Sequence, residues 1–151
     1  MSGKDFNGFP EALGSPECYL CSSDLAPQEL LGHALKIKGR GFVQLLDYDE
    51  KMLPRLLPAY LNARLRERDS IMRTSAAAME MLLFVAGNTN ITKAIGACGI
   101  KNGNSFLVFA TDKENFDEFA SQADLKSTKR IALKFDEDAA QEVARLAVEK
   151  D

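Results

Sequence analysis

The feature that most constrains this fold is the stretch from Arg73 to Phe109, RTSAAAMEMLLFVAGNTNITKAIGACGIKNGNSFLVF, the longest apolar periodicity in the chain. Met79, Leu82, Leu83 and Ala86 recur at the spacing of one helical face. Thr74 or Ser75 is placed to cap that helix with a side-chain oxygen, and Gly87 to end it at positive φ. Asn88, Thr89 and Asn90 form a polar break, and Ile91, Ala94, Ile95 and Cys98 then repeat the same period. Gly99 followed by Ile100 reads as a left-handed helix end, Lys101 to Asn104 as a turn, and Ser105 to Ala110 as a buried strand.

This block resembles the TPRKB-like (PRPK-binding protein) family of KEOPS-complex subunits. The resemblance is carried by Ser75, Glu80, Leu82-Leu83-Phe84, Gly87, Asn90-Ile91, Ala94-Ile95 and Gly99-Ile100, taken in order, and it reaches back to Phe42–Asp47, FVQLLD. It covers roughly residues 17–110, and the spacing of the whole block carries it. It implies a non-catalytic subunit that binds the small atypical kinase of KEOPS, and through it the ATPase subunit. It also implies capture of the 3′ end of transfer RNA, in support of threonylcarbamoyladenosine modification. No cofactor is implied.

The rest of the chain is read from the residues themselves. Residues 1–16 are rich in Gly, Pro and polar residues and read as a flexible N-terminal tail, and residues 17–151 as a single domain. Tyr19–Ser22 and Phe42–Leu46 have strand character. Between them Pro27 opens a helix whose apolar face is Leu30, Leu31, Ala34 and Leu35. A long helix is expected over Met52–Asp69, with Leu53, Leu56, Leu57, Tyr60, Leu61 and Leu65 on one stripe and a late start or kink imposed by Pro54 and Pro58. After the organising stretch, Lys113–Ser121 reads as an amphipathic helix, Gln122–Ser127 as a polar link and Arg130–Phe135 as a half-buried edge strand. A last helix is capped by Asp136. The expected fold is therefore α/β: one domain with a small mixed β-sheet packed with several helices, three of them in a block between strands two and three.

Catalytic constellations are thin. His33 stands without an evident partner, and Gly39-Arg40-Gly41 precedes a strand, the wrong order for a dinucleotide turn. Glu80 stands among apolar residues and needs a partner, expected in Arg73 or Lys93. Cys18 and Cys21 are spaced C-x2-C, but residues three apart on a strand point to opposite faces, so structural thiols are expected and no metal. Cys98 reads as core. No catalytic residue is assigned, and the chain is expected not to be an enzyme. The alternative is a small α/β enzyme with an unrecognised site, which a pocket lined by several perturbed titratable groups would favour.

Binding residues follow from charge and polarity. The net charge of −3 gives no global attraction to nucleic acid or anionic membrane, so RNA contacts require a local patch. The tRNA-binding candidates are Arg73, Asn88, Asn90, Lys93 and Lys101. The cluster Arg64, Arg66, Arg68 and Arg73 reads either as a solvated helix end or as a phosphate-contacting patch, with Arg64, Arg66 and Arg68 as the second candidate RNA site. The helical block holds more apolar residues than one small sheet can cover, which nominates Leu53, Leu57, Tyr60 and Leu61 as the kinase interface. No apolar run approaches a bilayer span and the first residues lack the order of a signal peptide, so a cytoplasmic location is expected, with no membrane or DNA partner.

Overall fold

The computed structural model describes residues 14–37 and 39–148. In chain order the elements are β1 (Glu17–Ser23), α1 (Pro27–Leu35), β2 (Val43–Asp47), a 3-10 helix (Glu50–Arg55), α2 (Leu56–Arg68), α3 (Ala77–Ala86), α4 (Ile91–Cys98), β3 (Phe106–Ala110), α5 (Lys113–Ala123), β4 (Leu125–Ile131) and α6 (Glu137–Val148). The class is α/β, and α2, α3 and α4 form the helical block expected between strands two and three. These elements gather into two compact units. One takes residues 14–48 and 100–132, the other Asp49–Gly99 and residues 133–148. Among the described residues no helix is long and apolar enough to cross a membrane.

The first unit is a sheet of order β2-β3-β1-β4. All three pairings are antiparallel, so the sheet is antiparallel where a mixed one was expected. Alternation along the strands places Tyr19, Cys21, Val43, Leu45, Phe106, Val108 and Ala110 in one core with Leu30 and Ala34 of α1 and Phe116, Phe119 and Ala123 of α5. Tyr19 and Phe116 stack with ring centroids 3.8 Å apart. Every residue of the central strand β3 is buried, as a continuous apolar run predicts.

Two expectations are corrected here. Of the proposed apolar face of α1 only Leu30 and Ala34 are buried, while Leu35 is 83% exposed. The last strand begins at Leu125, inside the expected polar link, and ends at Ile131. Its span is set by pairing with β1, from Ser23 opposite Leu125 to Cys18 opposite Ile131, and not by the alternation of Ile131, Leu133 and Phe135. Of the expected tail, residues 1–13 lie outside the described residues, and Pro16, just before β1, is buried.

The second unit is helical, and the prolines shape its entrance. Pro54 sits in the 3-10 helix, and α2 starts late, at Leu56, so that Pro58 falls in the first turn. Backbone N–H groups there have no intrahelical acceptor, so proline costs no hydrogen bond. Leu56, Leu57, Ala59, Tyr60 and Ala63 are buried along α2, but Leu65 is 37% exposed and Arg64 and Arg66 are buried. The expectation of a solvated arginine face is thereby overturned for Arg64 and Arg66, two of its four residues.

Arg66 is buried because Glu80 is. Glu80 on α3 is fully buried, and its Oε2 accepts from Arg66 Nη1 at 2.8 Å. The carboxylate also accepts from the backbone N–H groups of Arg73 and Thr74 and from the Thr74 hydroxyl. Arg66 Nη2 donates to the Leu146 carbonyl of α6 at 3.0 Å, and its guanidinium lies 4.6 Å from the centre of the Phe84 ring. The partner expected from sequence was the side chain of Arg73 or Lys93; Arg73 contributes its backbone instead. Thr74 is thus diverted from capping, and Ala76 stands at the N-cap of α3 without a side-chain cap. Burial alone would raise the Glu80 carboxyl, but the bonds from Arg66, Arg73 and Thr74 hold it below the usual carboxylate range.

The glycines at the helix ends differ from one another. Gly87 takes φ of 67°, the left-handed end expected. Gly99 does not: its φ is −67° and ψ 160°, extended. Glycine is needed there for another reason, since a Cβ would stand 2.7 Å from the Ile95 carbonyl oxygen.

Removing one partner of the buried pair should be costly. Arg66→Leu leaves Glu80 buried without its cation and should lose roughly 3–5 kcal/mol of stability in urea unfolding at pH 7. The unfolded carboxyl titrates near ~4.3, and its folded value is lower. The contribution of Glu80 is therefore present above that pH and lost as pH falls through the folded value. Glu80→Gln should be less stable than the parent at pH 7, and the gap should narrow in acid; an unchanged unfolding midpoint in either variant would refute the clamp.

Candidate functional site

The polar turn between α3 and α4 is built by interlocking side chains. Gly87 turns the chain out of α3, and the Asn88 N–H returns to the Leu83 carbonyl at 3.1 Å. Asn88 Oδ1 accepts from the Asn90 N–H at 2.8 Å, and Asn90 Oδ1 accepts from the Lys93 N–H at 3.0 Å, which caps α4. With both amide oxygens used inward, the Nδ2 groups are the donors these side chains have left for a ligand. The N–H groups of Ile91 and Thr92, in the first turn of α4, have no partner among the described residues, and the Lys93 side chain is exposed. Such a helix start attracts anions.

The structure brings together three of the five residues proposed for RNA. Asn88, Asn90 and Lys93 share the turn. Arg73 is half-buried and anchors the other end of α3 through its bond to Glu80. A ten-residue helix, about 15 Å long, lies between. Lys101 is exposed and belongs to the other compact unit. The second patch is dismantled. Arg66 is committed to Glu80; Arg64 is buried against the Tyr60 hydroxyl and Glu67; Arg68 is exposed and paired with Asp69 at 3.0 Å.

The proposed kinase-contacting residues also divide. Leu57 and Tyr60 are buried, so they are core, while Leu53 and Leu61 are half-buried. The sequence stripe could not separate the two pairs, because a helix packed on several sides buries more than one face.

One feature had no signal in the sequence. A cavity of about 530 Å³ is lined by Arg55, Val85, Ala86, Gly87, Glu142, Arg145 and Leu146. Arg55 donates Nε to the Val85 carbonyl at 2.8 Å and Nη2 to the Phe84 carbonyl at 3.0 Å, so a cation closes the negative end of α3. Its Nη1 reaches Glu142 at 2.7 Å. Arg145 has no hydrogen-bond or ion-pair partner among the described residues. The cavity thus adds an open guanidinium beside Gly87, the residue that leads into the Asn88–Asn90 turn. Segments 30 and 87 positions from Arg55 in the chain fold back onto it to make this arrangement, and no local motif announces it.

Several titratable groups lie in the sheet unit. Cys18 and Cys21 are buried, reduced and on opposite faces of β1; burial drives the thiols up to about 12 and about 11, and the neighbouring Cys21 adds to the rise at Cys18. Tyr19 is raised by burial and by its hydrogen bond to Glu17. The His33 Nδ1 is buried with no hydrogen-bond partner. Among the described residues no group of three or more His, Cys, Asp or Glu side chains is placed to share a metal ion. Glu80, Cys18 and Cys21, whose protonation the fold shifts, contribute nothing to the lining of the cavity.

No family model and no curated protein sequence matches this chain.

Thiolates, not thiols, react with alkylating agents. In the native protein at pH 8, Cys18 and Cys21 should be alkylated far more slowly than after unfolding. The unfolded thiols ionise near ~8.5, below their folded values. Native stability should therefore fall as pH rises above about 9. Alkylation of both thiols at the unfolded rate would show that β1 is not held as described.

Proposed function

We propose that this chain is a non-catalytic subunit of a KEOPS-type assembly, binding its small atypical kinase and the 3′ end of transfer RNA in support of threonylcarbamoyladenosine formation. The reading rests on the sequence resemblance of residues 17–110 to TPRKB-like subunits. The single structural observation that supports it is the start of α4, where the amide nitrogens of Asn88 and Asn90, two N–H groups without a partner among the described residues and the exposed Lys93 side chain stand in one turn. That set suits a single-stranded RNA end, whose phosphate seeks cations and N–H donors and whose unpaired base offers acceptors. Arg145, beyond Gly87, supplies a further cation on the approach. A local site of this kind functions in a chain of net charge −3.

The buried charges support a binding role over a catalytic one. Glu80 and Arg66 are saturated by bonds within the helical unit, and the thiols of β1 are held protonated. In the kinase contact, Leu53 and Leu61 carry the apolar surface, while Leu57 and Tyr60 support them from within.

Lys93→Glu should weaken binding of full-length tRNA more than of tRNA lacking its 3′ tail, and should reduce the salt slope of binding by about 1. Equal loss for both RNAs would move the site away from α4. Leu61→Glu should abolish co-purification with the kinase while leaving the unfolding midpoint nearly unchanged, whereas Leu57→Glu should unfold the protein by burying a charge. Retention of the kinase by a folded Leu61→Glu variant would remove this surface from the interface.

A further inference from the structure

The strand β4, LKSTKRI, stands at the edge of the sheet and pairs with β1 alone among the described residues. Lys126 through Arg130 are exposed, and Leu125 and Ile131 at its ends are half-buried. Seven residues is long for an edge left open, and such an edge presents a row of backbone N–H and C=O groups that only another extended peptide can satisfy together. From Leu125 to Phe135 the chain carries Lys126, Lys129, Arg130 and Lys134 and not one acidic residue, in a protein of net charge −3.

The register fixes where the charges stand. Thr128 and Arg130 lie opposite Cys21 and Tyr19, so they share the face of β4 that continues the α1–α5 core, while the register with β1 shifts between Ser127 and Leu125, so the regular ladder runs from Ser127 to Ile131 and Lys126 stands at the break. Ser127 and Lys129 lie opposite Ser22 and Leu20, on the other face. Lys126 pairs with Asp24 at 3.1 Å and Arg130 with Glu17 at 3.4 Å, both with exposed cations; such surface pairs are weak and readily exchanged. Lys129 has no ion pair among the described residues.

We propose that the outer edge of β4 is a strand-addition site for an acidic, extended peptide segment of a partner protein. A second copy of this chain is disfavoured. In the antiparallel pairing centred on Lys129, the middle of the regular segment Ser127–Ile131, Lys129 would stand directly opposite its own copy, and like charges facing across a ladder repel. RNA would meet the cations but leave the backbone groups of the edge unpaired. An antiparallel peptide satisfies both when two adjacent acidic residues stand opposite Arg130 and Lys129, within the regular part of the strand. This inference is independent of the KEOPS reading and survives its failure.

The test is a titration of the full chain with a seven-residue peptide bearing glutamates at its second and third positions and valine or threonine elsewhere, followed by backbone amide shifts and hydrogen exchange. Alternate amides of Ser127–Ile131 should gain protection. A peptide with glutamines in place of the glutamates should bind about tenfold more weakly, from the lost cross-strand charge pairs. Lys129→Glu, at an exposed side chain, should weaken the acidic peptide several-fold and leave the unfolding midpoint in place. The proposal is overturned if saturating peptide protects no β4 amide, or if the glutamine peptide binds equally. It is also overturned if the same amides become protected by concentration-dependent self-association, or if an oligouridylate shifts the β4 lysines while the peptide does not.

Discussion

The helical unit depends on one buried carboxylate. Removing Glu80 from water would be unfavourable by several kcal/mol if it stood alone. It is tolerated because five hydrogen bonds converge on its two oxygens, from Arg66, Arg73 and Thr74. Because these donors come from the end of α2 and from the segment before α3, the carboxylate ties chain segments that share no regular backbone pairing. Arg66 extends the tie to the last helix through the Leu146 carbonyl and covers Phe84 with its guanidinium. The planar fork of arginine makes both bonds at once, which a lysine at this position could not reproduce.

That commitment decides which cations remain for ligands. Arg66 and Arg64 are spent inside the unit, and Arg55 is spent on the carbonyl end of α3. Among the described residues of the helical unit, Lys93 one turn into α4 and Arg145 at the cavity lined by Gly87 are two of the cations left open. The turn between them is rigid for its length, because each asparagine oxygen is held by a backbone N–H. Preorganised donors of this kind bind without further ordering cost, which suits a site for a short flexible RNA end.

The sheet unit follows a gradient of polarity. Its central strand β3 is buried throughout, β1 alternates, and β4 is polar on both faces. Lysine and arginine on an edge strand keep identical edges from stacking. The same charges leave that edge selective for partners of opposite sign, so protection against self-association and recognition arise from one feature.

The sequence alone determined the α/β class, the helical block between strands two and three, the left-handed end at Gly87 and that the prolines impose either a late start or a kink on α2. Each of these is set within one or two turns of chain, by hydrogen-bonding side chains or by φ restrictions that do not depend on distant neighbours. It also showed that Glu80 needed a partner. Only the tertiary structure decided that the partner is Arg66, that Thr74 serves the carboxylate and not the helix cap, and that Leu57 and Tyr60 are core. Only it separated Arg73 from the Asn88–Lys93 turn, shifted the last strand to Leu125–Ile131 and placed Arg55 and Arg145 around one cavity. These choices are made between segments far apart in the chain. Burial and pairing free energies there outweigh local propensity, and the sequence pattern of either segment by itself is silent about its neighbour.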